Sequence, residues 1–182
     1  MIRPIYLYGK EVLREVAQNV DIADKDAVSA LVADLKDTLV VADGCGLAAP
    51  QIGVSSRVVI VDGTELVDTY PELKDFRRTL INPEVTDESP VKCVYSEGCL
   101  SVPGVYADVT RPEAITVRYY DESLQLVEER FEGFACRMVQ HELDHLDGKL
   151  FVDKVAPIRK KIISKKLLLI SKGLVSTSYK TK

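Results

Sequence analysis

Apolar residues at Val28, Leu31, Val32, Leu35 and Leu39 recur at helical spacing within residues 25–42. Asp24 stands where an N-cap belongs, so a helix is expected there. A shorter apolar-periodic piece around Val12, Leu13 and Val16 precedes it. The middle of the chain changes period. RVVIV at 57–61, TLINPEV at 79–85, VKCVY at 91–95, AITVRYY at 114–120 and LQLVEERF at 124–131 are β-branched and aromatic runs broken by Gly, Pro and Asp. They predict an antiparallel sheet. A second helix is expected over about 132–147, with Phe134, Met138, His141 and His145 on one face and Gly148 as its stop. Pro157 opens a third, carrying Ile158, Ile162, Ile163, Leu167 and Ile170 at helical spacing toward Gly173. Strands gathered between helices, rather than alternating with them, make the expected class α+β in one domain over 1–182.

Composition narrows the class without changing it. With 182 residues, 46% hydrophobic and 29% charged, the chain is an ordinary globular domain rather than a disordered or low-complexity one. Arg3, Lys10, Glu11, Arg14 and Glu15 interrupt the first twenty residues, and no apolar run approaches the length of a membrane span. A cytoplasmic protein without a signal peptide or membrane anchor is therefore expected. Cys45, Cys93, Cys99 and Cys136 are too few and too uneven for a disulfide scaffold and read as reduced thiols. Charge is segregated along the chain: from Lys154 to Lys182 there are nine Lys or Arg and no acid, giving +9 against −13 for residues 1–153. A polyanionic partner for the tail and a merely solvated basic face both fit that pattern.

The chemistry sits in HELDH. The chain has 2 histidines, His141 and His145, placed four apart on the second expected helix so that both imidazoles leave one face. HExxH puts two nitrogen ligands one turn apart and aims a carboxylate, here Glu142, at the metal's water. A catalytic site wants a third protein ligand. The extended pattern HExxHxxGxxH would place a histidine where Phe151 stands, and no glutamate follows Glu142, which weakens the zinc-peptidase reading. The ligand must come from upstream, and EGCLSVP at 97–103 offers Cys99 at an expected turn. Cys93, in an alternating strand, and Cys136, in a helix, read instead as small buried residues. A non-catalytic metal staple is the remaining alternative, but structural zinc normally fills four protein positions.

GCGLAAPQIG at 44–53 mimics a dinucleotide-binding fingerprint, yet it follows a helix and carries Pro50 where a helix should begin. Its glycines more readily let backbone approach a ligand, with Gln51 presenting an amide to the same space. Together GCGLAAPQ at 44–51, EGCLS at 97–101 and QHELDHLDG at 140–148 resemble, in order and separation, the three signature motifs of the peptide deformylases. The likeness runs from VLR at 12–14 to a C-terminal helix, with YGKEVLR and Pro50 as mild departures.

The resemblance implies antiparallel sheets around a central metal-binding helix, and removal of the formyl group from N-formylmethionine on nascent polypeptides. It implies one Fe2+ on Cys99, His141 and His145, replaceable by Zn2+, Ni2+ or Co2+, with Glu142 as proton carrier. Gln51 and the Leu100 N–H would be oxyanion donors, and Glu97 with Arg111 a supporting ion pair. Substrate backbone would pair near Cys45, Gly46 and Gly98, and methionine would enter a pocket beside Phe134, Arg137 and Met138. Asp144 or Asp147 could orient a histidine. The basic helix over about 157–172 resembles a docking element for the ribosome near its exit tunnel; no membrane or specific DNA partner is expected.

Overall fold

The computed structural model describes residues 1–182. Helix α1, Lys25–Ala42, begins where the Asp24 carboxylate accepts the Ala27 N–H at 3.1 Å, and ends where Asp43 turns left-handed at φ 55°. Seven strands follow: β1 (Gly46–Ala48), β2 (Val58–Asp62), β3 (Arg77–Glu88), β4 (Lys92–Cys99), β5 (Val102–Pro112), β6 (Ala114–Tyr120) and β7 (Leu126–Glu132). Helices α2 (Gly133–Leu146) and α3 (Pro157–Ser171) complete the chain's regular structure. β1, β2, β3, β6 and β7 form one antiparallel sheet in that order, while β4 and β5 pair as a separate hairpin.

Layering follows from the two-residue period of a strand. In β2, Val58 and Ile60 pack with Val28, Val32, Leu35 and Leu39 of α1, whereas Val59 and Val61 face Met138, Val139 and Leu143 of α2. The sheet thus lies between α1 and α2, and VVIV is apolar throughout because both faces are covered. A third apolar cluster joins Val105, Ala107 and Val109 of the hairpin to Ile163, Leu167 and Ile170 of α3. No helix is long and apolar enough to cross a membrane.

The fold class stands, with three differences in detail. Two strands are additional to the five expected. β1 has three buried residues and no alternation to betray it; β5 alternates from Val105 to Arg111, but Pro103 and Gly104 disguise its start. Cys99 is the last residue of β4 rather than the tip of a turn, and Leu100–Ser101 makes the reversal. On α3, Ile158 and Ile162 are 75% and 66% exposed. At about 100° per residue they fall on a different side from Ile163, Leu167 and Ile170, which alone reach the core.

Candidate active site

Three elements converge on one place. His141 and His145 leave the same face of α2, one turn apart. β4 brings Cys99 and, two residues earlier on the same face, Glu97; the ladder to β5 is irregular between them. The short helical turn Ala49–Ile52, entered directly from β1, carries Gln51.

The donor atoms of Cys99, His141 and His145 all lie within 4.8 Å of one another, and Cys99 Sγ is 3.3 Å from His145 Nε2. Metal–sulfur and metal–nitrogen bonds of about 2.3 and 2.0–2.1 Å place neighbouring donors of a tetrahedral site roughly 3.5 Å apart, so the set has the dimensions of a metal centre. One thiol and two imidazoles also suit Zn, Fe, Ni or Co. Burial disfavours charge on His141, but its acceptors Cys99 and Glu97 draw its pKa well above the ordinary value; burial and the neighbouring His141 push His145 well below it. The two imidazoles are thus pushed apart, His141 toward the protonated form and His145 toward the neutral one.

Glu142 is buried and its Oε2 has no partner in the chain. Burial raises its carboxyl to about 7, the range in which a group both takes and returns a proton near neutral pH. A Cβ on Gly46 would overlap Glu142 Oε1, so β1 can run this close only as glycine. Gln51 is buried: its Oε1 accepts the Ala48 N–H at 2.8 Å, and its Nε2 lies 3.6 Å from Cys99 Sγ and 3.2 Å from Ser101 Oγ. The Leu100 N–H takes no part in the backbone hydrogen bonds of the turns and loops.

Behind the ligands stands a buried ion network. Glu97 Oε1 accepts from Arg111 Nε and an Arg137 guanidinium nitrogen, both at 2.7 Å. Oε2 accepts from the second fork of Arg111 and from His141 Nδ1, both at 2.9 Å. Glu97 therefore orients His141. Neither Asp144 nor Asp147 does: Asp144 is taken by Arg111 at 2.6 Å and Lys154 at 3.2 Å, and Asp147 pairs with Arg57 at 3.1 Å. Against the cost of burial, hydrogen bonds from Arg111 and His141 hold the Glu97 carboxyl well below the usual range.

The pocket candidates fall into two groups. Met138 is buried in the apolar cluster beside the sheet, with Cys45 and Phe134 half-buried against it. Phe134 stacks on Tyr70 at 4.0 Å between centroids and meets Tyr95 edge-on at 5.4 Å, an aromatic wall that no local spacing foretold. Two nitrogens of the Arg137 head are engaged elsewhere, by Glu97 and by the carbonyls of Val109 (2.8 Å) and Cys93 (2.9 Å), while its buried Nε has no partner. Gly98 sits within β4, where a Cβ would meet the Tyr106 ring at 2.6 Å.

The family model described as polypeptide deformylase matches residues 2–161. A peptide deformylase of Cytophaga hutchinsonii is 41% identical over 182 residues, covering 100% of this chain and 97% of that protein. One from Pseudothermotoga lettingae is 44% identical over 179 residues, covering 98% of each. Among solved structures, the peptide deformylase of Thermus thermophilus superposes with a TM-score of 0.84 at 36% identity, covering 95% of this chain and 99% of that one.

Proposed function

Because the chain belongs to the polypeptide deformylase family, and so hydrolyses the formyl group from N-formylmethionine peptides, we propose that it does this with Fe2+ held by Cys99, His141 and His145 and with Glu142 as proton carrier. When bound, the cation supplies Lewis-acid polarisation and lowers the pKa of water from about 15.7 toward about 7. The remaining work falls to the chain. Glu142 takes a proton from the attacking water at its free Oε2. It returns that proton to the amide nitrogen as the C–N bond breaks, which releases formate and a free α-amine. Gln51 Nε2 and the Leu100 N–H donate to the carbonyl oxygen as it becomes negative.

An extended peptide pairs with backbone near Cys45, Gly46 and Gly98, and its methionine side chain lies among Phe134, Met138 and the stem of Arg137. The observation that carries this reading is the buried, unpartnered Glu142 carboxylate oxygen on the same helix as two of three donors lying within 4.8 Å. It acts in the cytoplasm on chains leaving the ribosome. Docking there would use α3 and the residue that follows it, where Lys160, Lys161, Lys165 and Lys172 are exposed. Arg159 and Lys166 are exposed too, and each keeps its charge while donating to the carbonyl of Tyr106 or Gly104.

The test is anaerobic removal of metal, followed by reloading with Fe2+, Ni2+, Co2+ or Zn2+ and assay of formate from formyl-Met-Ala. Activity should return in step with one metal per chain, and the iron form should decay in air as the thiolate is oxidised. Formate release by the stripped protein, or an iron form stable for days in oxygen, would overturn the assignment.

A further inference from the structure

Beyond the residues matched by the family model, the chain comes back to the site. From Lys180 to Lys182 it runs alongside the N-terminal segment: Ile5 N–H donates to Lys180 O and Lys182 N–H to Ile5 O, both at 2.9 Å, and Leu7 N–H donates to Lys182 O at 3.2 Å. The N-terminal segment in turn grips the backbone of the site. Tyr6 N–H donates to the Gln51 carbonyl and Tyr8 N–H to the Ser101 carbonyl, both at 2.8 Å. The Tyr179 hydroxyl donates to the Leu100 carbonyl at 2.7 Å. Its ring is half-buried against the apolar cluster that holds Leu39, Leu47 and Leu100. Burial pushes the phenol up to about 12, so at neutral pH it is a neutral donor.

Leu100 and Ser101 form the two-residue reversal between β4 and β5, where no ladder bonds fix the peptide planes. Ser101 is held at its carbonyl by Tyr8 and at its hydroxyl by Gln51. Leu100 is held at its carbonyl by Tyr179. The Leu100 N–H belongs to the preceding Cys99–Leu100 peptide, whose Cys99 end is held by pairing with Val102; fixing the following peptide at the Leu100 carbonyl limits rotation at Leu100 and with it the direction of that N–H. We propose that Tyr179 is a positioning residue for deformylation, which keeps the Leu100 N–H aimed at the developing oxyanion by fixing the Leu100 carbonyl. The inference rests on the reading of the Leu100 N–H as an oxyanion donor.

Tyr179→Phe removes the hydroxyl and keeps the packed ring. In the metal-loaded full chain it should lower kcat for formyl-Met-Ala roughly threefold to tenfold, the worth of one hydrogen bond, with KM and metal content unchanged. A second protein carries an ester in place of the Cys99–Leu100 amide and so lacks the Leu100 N–H. It should lose more activity, and adding Tyr179→Phe to it should change kcat no further, because both changes act through one donor. If Tyr179→Phe leaves kcat unaltered while the ester lowers it, Leu100 keeps its role and the positioning idea is wrong. Should the ester itself be fully active, the Leu100 reading falls and takes the inference with it. A Tyr179→Phe protein that loses metal, or loses kcat equally with and without the ester, would show that Tyr179 is only structural.

Discussion

Glu97→Gln strikes the group on which the buried network turns. The Glu97 and Arg111 side chains are 3% and 4% exposed, so water cannot take over the broken contacts. Glu97 receives four hydrogen bonds, two from Arg111, one from Arg137 and one from His141. An amide keeps one acceptor oxygen, but it turns its NH2 toward donors and leaves Arg111 with Asp144 as its remaining anion and Arg137 with none. Removing one partner of a buried pair costs about 3–5 kcal/mol. We take the lower end because one oxygen survives. At about 2–4 °C per kcal/mol for a chain of this size, the metal-free variant should melt roughly 6–12 °C below wild type at pH 7.

Because His141 also loses its acceptor, metal affinity should fall about 10- to 100-fold. The pH dependence has a definite sign. The folded carboxyl lies below its unfolded value of about 4.3, so the folded state binds fewer protons there. The wild-type advantage is therefore complete above that pH and shrinks progressively as the pH falls from there toward the lower folded value, so the gap between the two melting curves should narrow in acid. Thermal melting of both metal-free proteins at several pH values, with metal titration at pH 7, tests all three expectations. Equal melting temperatures at pH 7, or a gap that persists unchanged in acid, would refute the reasoning.

Three further outcomes follow from the geometry. Glu142→Gln should retain metal while turnover falls about 10²- to 10⁴-fold, and loss of metal along with activity would make Glu142 structural instead. Gly46→Ala must displace either β1 or the Glu142 carboxylate, so kcat should drop on the order of 10²-fold at full metal content; an unchanged kcat would mean that the close approach is unimportant. Replacing Lys160, Lys161, Lys165 and Lys172 by Gln should leave hydrolysis of a short formyl peptide intact, while weakening co-sedimentation with ribosomes and flattening its salt dependence. Unaltered sedimentation would leave α3 as a cover for the hairpin alone.

Much of this protein is legible along the chain because the relevant distances are local. Helical spacing places His141, Glu142 and His145 within a single turn, and the absence of a later ligand leaves Cys99 as the candidate for the third. The α+β class follows from where the period changes from 3.6 to 2. What the pattern does not carry is contact between distant positions. Glu97 reaches His141 across 44 residues, Arg137 reaches Glu97 across 40, and Tyr179 reaches Leu100 across 79. Asp144 lies three residues from His141 and looks available as its partner, yet Arg111 and Lys154 claim it once the hairpin packs on α2. The periodicity of apolar residues determines which side of an element is buried. Which polar group meets another inside is decided when the elements dock, since each buried charge must find a partner among those the packing brings within reach.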